Sequence, residues 1–199
     1  MFQKSFFAAL VAGLASFALP AYSQTEGPAR QDVAAQAFGS FVATSTRNGI
    51  DHTATDSGGV LASYRFFFGA HHGVEANYGY ALNTQSYSSA GGAVGVKAYA
   101  HEVSGAYVFR LPHRKFTPFA LAGVGALIFD PKDSPVGSQT RAAFVYGAGA
   151  DFNLTRRVFV RAEYRGFVYN SPTFDLPVVA GADRVTHRAE PSVGFGYRF

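Results

Sequence analysis

The chain has 199 residues, with 20 phenylalanines, 11 tyrosines and 22 glycines, and only 15% of its residues are charged. It contains no cysteine, which excludes a small disulfide-bonded scaffold. The net charge is +4 and no lysine–arginine cluster stands out, so we expect no nucleic-acid partner. The aromatic content favours strands, and the charged fraction is low for a soluble domain.

The first residues have the pattern of a secretory signal peptide. Lys4 provides a positive start, an uncharged apolar stretch follows over 6–19, and small residues at 21 and 23 resemble a cleavage site. A transmembrane anchor is the alternative, but the apolar stretch is shorter than the roughly 20 residues that a spanning helix needs. We therefore predict a signal peptide over 1–23 that is cleaved near Ser23, an N-terminal segment over 24–35 and one domain over 36–199.

Apolar residues alternate with polar or small residues from Gln36 onward, and this alternation predicts eight strands. Most of them reach the roughly 9–11 residues that a tilted membrane-spanning strand needs. The strands are predicted over 36–47, 59–69, 73–83, 96–110, 117–129, 141–152, 157–169 and 187–199.

The connections between these strands alternate between long and short. The long ones are 48–58, 84–95, 130–140 and 170–186. In an up-and-down barrel every second connection lies on the same rim, so long loops gather at one end and tight turns at the other. The sequence therefore predicts an all-β fold, an eight-stranded antiparallel up-and-down transmembrane β-barrel.

The two faces of most strands differ in polarity. In the third strand Val74, Ala76 and Tyr78 lie on one face. Glu75 and Asn77 lie on the other. We expect the apolar face to contact lipid and the small or charged face to line the lumen. A soluble lipocalin-like barrel is the alternative, but it would need an apolar lumen.

Two strands fit this pattern poorly. Lys97 and His101 have the outward parity of the fourth strand, so either they lie above the bilayer or a bulge shifts the register. In the fifth strand both faces are apolar or small, and we expect the bulkier Phe119, Leu121 and Leu127 to face lipid. The alternative set of lipid-facing residues is Ala120, Val124 and Ile128.

Eight charged side chains have inward parity. They are Arg65, Glu75, Glu102, Arg161, Glu163, Arg165, Arg188 and Glu190. An eight-stranded barrel has an interior about wide enough for side chains alone, and buried charges need partners. We therefore predict an ion-pair network that fills the lumen. A charged constriction that passes ions or small solutes is the alternative.

No catalytic or metal site is evident. No histidine pair or histidine–carboxylate cluster has ligand spacing, so we expect no metal or other cofactor. Glu102 follows His101 but points inward, and Ser192 lies on the opposite face from His187. The serine–histidine–acid set of a lipid-modifying enzyme is therefore not predicted.

The loop over 170–186 is the most apolar of the long loops. It either packs on its own barrel rim or contacts an extracellular partner. Its apolar residues are Phe174, Leu176, Val178 and Val179.

The chain ends in PSVGFGYRF, with one face formed by Val193, Phe195, Tyr197 and Phe199. With the signal peptide, the eight strands and the loop pattern, this ending resembles the small outer-membrane β-barrel proteins of Gram-negative bacteria, the family that includes the OmpA transmembrane domain. The resemblance covers about 36–199. It implies an outer-membrane location, contact with outer-membrane lipids, and a terminal signal in these four residues that the barrel-assembly machinery reads. Because no peptidoglycan-binding domain follows Phe199, we expect a structural or surface-interaction role rather than wall anchoring.

Overall fold

The computed structural model describes residues 29–47, 50–89, 92–132, 137–174 and 185–199. The predicted signal peptide over 1–23 lies outside the described residues, as does 24–28 of the predicted N-terminal segment. No helix in the described part of the chain is long and apolar enough to cross a membrane.

Ten strands occur in the described ranges, and all of their pairings are antiparallel. In chain order they are β1 (Gln31–Val42), β2 (Ser45–Arg47), β3 (Ile50–Ala54), β4 (Ser57–Phe67), β5 (His72–Ser89), β6 (Gly92–Arg110), β7 (Phe116–Pro131), β8 (Gln139–Asn153), β9 (Val158–Asn170) and β10 (Val185–Arg198).

Eight of these strands close into a ring in the order β1, β4, β5, β6, β7, β8, β9, β10. The seam is the pairing of β1 with β10, in which Val33 lies opposite Tyr197 and Ala37 lies opposite Val193. Each ring strand is paired on both edges, so its backbone groups do not depend on water. The predicted eight-stranded antiparallel up-and-down barrel is confirmed.

The remaining two strands form a hairpin outside the ring. Strand β3 pairs with the carboxy-terminal part of β5, from Asp51 opposite Ser88 to Ala54 opposite Gln85. Strand β2 pairs with β3. Strand β3 lies within the predicted loop over 48–58, whereas β2 lies at the end of the predicted first strand over 36–47, since β1 already ends at Val42. The strands β5 and β6 also continue into the predicted loop over 84–95. Alternation did not reveal these extensions because polar residues occupy both faces at the end of β5, and the added start of β6, GAVG, has no polar residue to mark a face.

The first strand begins at Gln31, whereas the sequence pattern placed its start at 36. The residues before 36 include Asp32, whose side chain is buried in the lumen. The predicted strand began at 36 and so did not include this inward-facing acidic residue. The first strand therefore includes part of the segment predicted over 24–35.

The register between β5 and β6 is continuous, from His72 opposite Phe109 to Ser89 opposite Gly92. The proposed bulge is therefore wrong, and Lys97 keeps its outward parity. Lys97 is exposed at the end of the barrel that carries the long loops, which we call the long-loop end.

The expected lipid face of the fifth strand, β7, is wrong. Phe119, Leu121 and Leu127 are buried inside the barrel, and Val124 is 69% exposed on the outside. The interior accepts a large ring here because β8 places Gly149 beside it: a Cβ on this glycine would lie 2.7 Å from Phe119 Cζ. The bulky set fills the space that this glycine leaves in the lumen.

We expect Gly194→Val to weaken the seam between β1 and β10. A Cβ on Gly194 would overlap the Ala35 carbonyl oxygen and lie 2.5 Å from Gln36 Cα, so closure would require backbone shifts. Such overpacking typically destabilises by about 1–3 kcal/mol. The measurement is the urea midpoint at which the unboiled protein loses its shifted band on a detergent gel.

Gly105→Val is the matched control, because the nearest atom to an added Cβ is the Glu75 carbonyl oxygen, 3.9 Å away. Equal urea midpoints for the two variants would contradict the close approach at the seam.

Candidate functional site: the lumen

The lumen contains the eight charged residues that were predicted to point inward. Each is at most 5% exposed. Asp32, Asp151 and Arg110 are buried there too, and Arg198 lies at the end of the barrel that carries the short turns, the short-turn end. The predicted set omitted these four. Asp32 lies before the predicted first strand, whereas the inward parity of the other three was visible in the sequence.

Near the short-turn end, Arg161 is the centre of a first cluster. Its Nε and Nη2 donate to the two carboxylate oxygens of Asp151, at 2.7 and 3.1 Å. The same Nη2 donates to Asp32 Oδ1 at 3.1 Å, and Nη1 donates to Ser63 Oγ at 3.2 Å. Arg198 Nη2 also reaches Asp151 Oδ2, at 3.0 Å. The two-point contact between guanidinium and carboxylate fixes their relative orientation.

A second cluster surrounds Arg65 at mid-height. Arg65 pairs closely with Glu75 on the neighbouring strand, and its Nη2 lies 3.5 Å from Glu163 Oε2 on β9. Asn77 Nδ2 donates to Glu75 Oε1 at 2.6 Å, and Gln36 Nε2 donates to Glu163 Oε2 at 3.4 Å. The pair of Arg65 and Glu163 joins β4 to β9, which lie three strands apart around the ring.

A third cluster lies toward the long-loop end. Arg165 Nη2 lies 2.6 Å from Glu102 Oε1 and 3.1 Å from Glu190 Oε2. Arg188 pairs closely with Glu190. Arg165 Nε is 4.0 Å from Glu163 Oε1, which connects this cluster to the second one. Seven of the eight predicted residues thus form one connected set, whereas Arg161 belongs to the first cluster.

The arginine side chains in the lumen also contact phenylalanine rings. Arg110 Cζ lies 3.4 Å from the Phe67 ring centroid, and Arg65 Cζ lies 3.9 Å from that of Phe119. At such distances a ring face attracts a cation. The same relation holds for Arg161, Arg165, Arg188 and Arg198, each within 6 Å of a phenylalanine centroid. The sequence pattern did not anticipate these inward-facing rings.

An apolar cluster occupies the long-loop end of the lumen. Phe129 contacts the rings of Tyr169 and Phe174, with centroids 6.2 and 6.5 Å apart. Phe174 is 3% exposed, and its backbone is held inside because Gln139 Oε1 accepts from the amides of Thr173 and Phe174, at 2.7 and 3.1 Å. The start of the loop predicted over 170–186 therefore packs on its own barrel. Leu176, Val178 and Val179 lie outside the described residues.

The histidines considered for catalysis lie on the outer surface. His101 Nδ1 hydrogen-bonds the Tyr78 hydroxyl at 2.9 Å, and His187 Nε2 hydrogen-bonds the Tyr146 hydroxyl at 2.9 Å. No group of three or more histidine, cysteine, aspartate or glutamate side chains within the described ranges could hold a metal ion.

The four apolar residues near the carboxy terminus share the outer face of the barrel. Val193 and Phe195 are 57% and 65% exposed, and Tyr197 and Phe199 are 39% and 40% exposed. The last amide, of Phe199, still donates to the Gln31 carbonyl oxygen at 3.1 Å. The final residue is thus held at the seam rather than frayed.

The family model described as "outer membrane protein beta-barrel domain" matches residues 8–199. Several solved structures, among them the following three, share the fold at low sequence identity. OprG from Pseudomonas aeruginosa has a TM-score of 0.61 and 14% identity, over 86% of this chain and 97% of that one. Neisserial surface protein A has a TM-score of 0.62 and 14% identity, over 87% and 100%.

The third structure is Ail, the attachment invasion locus protein of Yersinia pestis, in complex with the heparin analogue sucrose octasulfate. It has a TM-score of 0.53 and 19% identity, over 87% of this chain and 100% of that one. No curated protein sequence matches the chain significantly.

We expect Glu163→Ala to destabilise the barrel by about 1–3 kcal/mol, because it removes a carboxylate partner from two buried arginines that each retain another one. The measurement is the free energy of unfolding from urea titrations in detergent. Glu163→Gln, which keeps the volume and a carbonyl acceptor, should lose less. Asp56→Ala, at an exposed position, is the neutral control. A Glu163→Ala variant as stable as Asp56→Ala would show that the pairing carries no stability.

Proposed function

Because the chain belongs to the outer-membrane protein β-barrel domain family, and hence to the bacterial outer membrane, we propose that it is a non-conducting structural barrel. Paired charges fill its lumen, and its long-loop end presents a surface to extracellular partners. The protein thus has a structural and binding role rather than a catalytic one.

One observation carries the proposal of a closed lumen. The contacts of Arg65 with Glu163 and of Arg165 with Glu102 each join strands that lie three apart in a ring of eight. Such pairs cross the interior instead of following the wall. An eight-stranded barrel has little room beyond its own side chains, so crossing pairs leave no continuous path for a hydrated ion.

The apolar cluster at the long-loop end adds a second barrier. Phe129, Tyr169 and Phe174 fill the lumen above the charged clusters, and each is at most 3% exposed. An ion that passed between these rings would lose its hydration without gaining polar partners.

The balance of charge in the lumen agrees with a structural role. Within the described ranges, six acidic residues face six arginines, counting Arg198 at the short-turn end. Arg141 is a seventh inward-facing arginine, and its Nη2 donates to Thr173 Oγ1 at 3.3 Å. A filter that selects ions by charge needs an excess of one sign along its path. Nearly equal numbers favour internal neutralisation.

A narrow passive channel is the second candidate. The observation that favours it is that Asn77 Oδ1, Arg165 Nη1 and Arg188 Nη1 are buried without a hydrogen-bond partner among the described residues. Buried polar atoms of this kind are commonly satisfied by water. A file of water through the clusters would provide a route for small solutes.

The long-loop end supports a surface role. Strand β5 pairs with β4 only as far as Ala81 opposite Gly59, but it continues with β6 to Ser89. At about 3.3 Å per residue, the hairpin formed by β5 and β6 extends some 25 Å beyond the last residue of β5 that pairs with β4. Together with β2 and β3 it forms a projecting sheet. The attachment invasion locus protein, solved with a heparin analogue, is a barrel of similar fold and lends support to a role in surface contact.

We also propose that Val193, Phe195, Tyr197 and Phe199 form the signal that the barrel-assembly machinery reads. The support is that all four lie exposed on the lipid face of the strand that closes the ring. A segment that must pair last and face lipid is a suitable point for recognition during insertion.

For the closed lumen, we expect no conductance steps from the purified protein in planar lipid bilayers. The triple variant Glu102→Ala/Arg165→Ala/Phe129→Ala removes a pair that crosses the lumen and the ring that contacts both Tyr169 and Phe174 in the apolar cluster. It should produce steps, provided that its band shift on a detergent gel shows a closed barrel. Asp56→Ala is the silent control. Conductance steps from the unaltered protein would overturn the proposal and establish the narrow channel.

For the assembly signal, we expect Phe199→Ala to lower the amount of protein in the outer-membrane fraction several-fold. Its stability after refolding in detergent should change by only about 0.5 kcal/mol, because the side chain is partly exposed. Val185→Ala, at an exposed apolar residue on the opposite end of β10, is the control. Equal outer-membrane levels of the two variants would contradict the assignment.

A further inference from the structure

Two short turns at the short-turn end are tied together. One turn, 111–115, joins β6 to β7, and the other, 154–157, joins β8 to β9. Asn153 Nδ2 donates to the carbonyl oxygens of His113 and Arg114, at 3.2 and 3.3 Å, and the Asn153 amide donates to the Lys115 carbonyl oxygen at 2.9 Å. These bonds hold the two turns in a fixed relation.

A cavity of about 390 Å³ lies between these turns, and its lining is strongly basic. It is lined by Arg114, Asn153, Leu154, Thr155, Arg156 and Arg198. Three of these six side chains carry a guanidinium group, and none is acidic. The cavity is therefore suited to an anion.

Among the described residues, no acidic side chain pairs with the two turn arginines that line this cavity, Arg114 and Arg156. The turns, LPHRK and LTRR, contain no acidic residue. Neither Arg114 nor Arg156 takes part in an ion pair within the described ranges. Arg198 pairs with Asp151, but that carboxylate already binds Arg161. This differs from the lumen, where each cluster includes carboxylates.

The donors in the cavity suit a phosphate group. Arginine presents a planar fork that matches phosphate oxygens in a two-point contact. Thr155 Oγ1 accepts from the amides of Arg157 and Val158, at 3.2 and 2.9 Å, so its hydroxyl hydrogen remains available to donate. Arg114, Arg156 and Thr155 all line the cavity, so it offers two guanidinium groups and a hydroxyl to a phosphate.

The exposed apolar residues around the cavity suit an anion that also carries an apolar part. Leu154, which lines it, is 61% exposed, and Phe116 and Phe152 on the adjoining strand ends are 45% and 48% exposed on the outer face. The cavity therefore lies where the apolar outer face meets the basic turns. In outer-membrane barrels the short turns face the periplasm, so this boundary lies in the leaflet made of glycerophospholipids.

We propose that this cavity binds the headgroup phosphate of an anionic glycerophospholipid in the periplasmic leaflet. Arg114 and Arg156 contact the phosphate, Thr155 donates to it, and Leu154 packs against the first methylenes of an acyl chain. The site depends on the outer-membrane location but not on whether the lumen conducts, so the two proposals can fail separately.

The test is native mass spectrometry of the full chain in detergent with added phosphatidylglycerol, compared with phosphatidylcholine of the same acyl chains. The unaltered protein should retain one phosphatidylglycerol in preference. Arg114→Gln/Arg156→Gln should weaken this retention roughly 10- to 30-fold, as expected for two charges near an anionic headgroup. The band shift on a detergent gel verifies that each variant is closed.

Lys115→Gln/Arg157→Gln is the matched control. It removes the same charge from the same two turns, but neither side chain lines the cavity, and Arg157 Nη1 already donates to the Tyr197 hydroxyl at 3.1 Å. Equal losses in the two double variants would show a diffuse charge effect and overturn the site. Displacement of the lipid by an equal concentration of inorganic phosphate would identify a site for soluble anions instead.

Discussion

The narrowness of an eight-stranded ring is the constraint on which the rest of this structure depends. The interior is about as wide as its own side chains need, so a buried guanidinium takes its polar partners from within the barrel. Arg161 pairs with Asp151 and Asp32, and Arg165 pairs with Glu102 and Glu190. Because several of these pairs join strands that are not neighbours, they add cross-links to a wall that backbone hydrogen bonds hold only edge to edge.

The same constraint accounts for the aromatic rings inside the barrel. A guanidinium that pairs with carboxylates along its edge still presents two flat faces, and in a narrow lumen a phenylalanine ring covers such a face well. The ring of Phe119 lies near both Arg65 and Arg161. Gly149, on the neighbouring strand β8, leaves the space for this ring. Charged and apolar side chains therefore share the lumen by stacking, rather than by separating into layers.

The two ends of the barrel meet different surroundings and are built differently. At the long-loop end, β5 and β6 continue beyond the ring with polar residues such as Thr84 and Ser86 on the outward face, as suits strands in water. At the short-turn end, hydrogen bonds from Asn153 connect two short basic turns. Exposed leucine and phenylalanine side chains lie beside these turns, as suits a boundary between lipid and water. Charge is nearly balanced within the lumen, whereas at this rim no acidic side chain of the described residues pairs with the turn arginines Arg114 and Arg156. An external anion can reach this rim.

The sequence by itself determined the membrane-spanning strands and the inward orientation of residues such as Arg65 and Glu163, because side chains alternate between the two faces of a strand whatever its partners are. It did not determine the lipid face of β7, since both parities there are apolar; the glycine on β8 and the guanidinium across the lumen decide that Phe119 points inward. Nor did it determine that Arg165 meets Glu102, since that contact depends on the stagger of strands three apart in the closed ring. Alternation along one strand shows which face of the sheet a residue lies on, whereas only closure of the ring brings side chains of distant strands into contact.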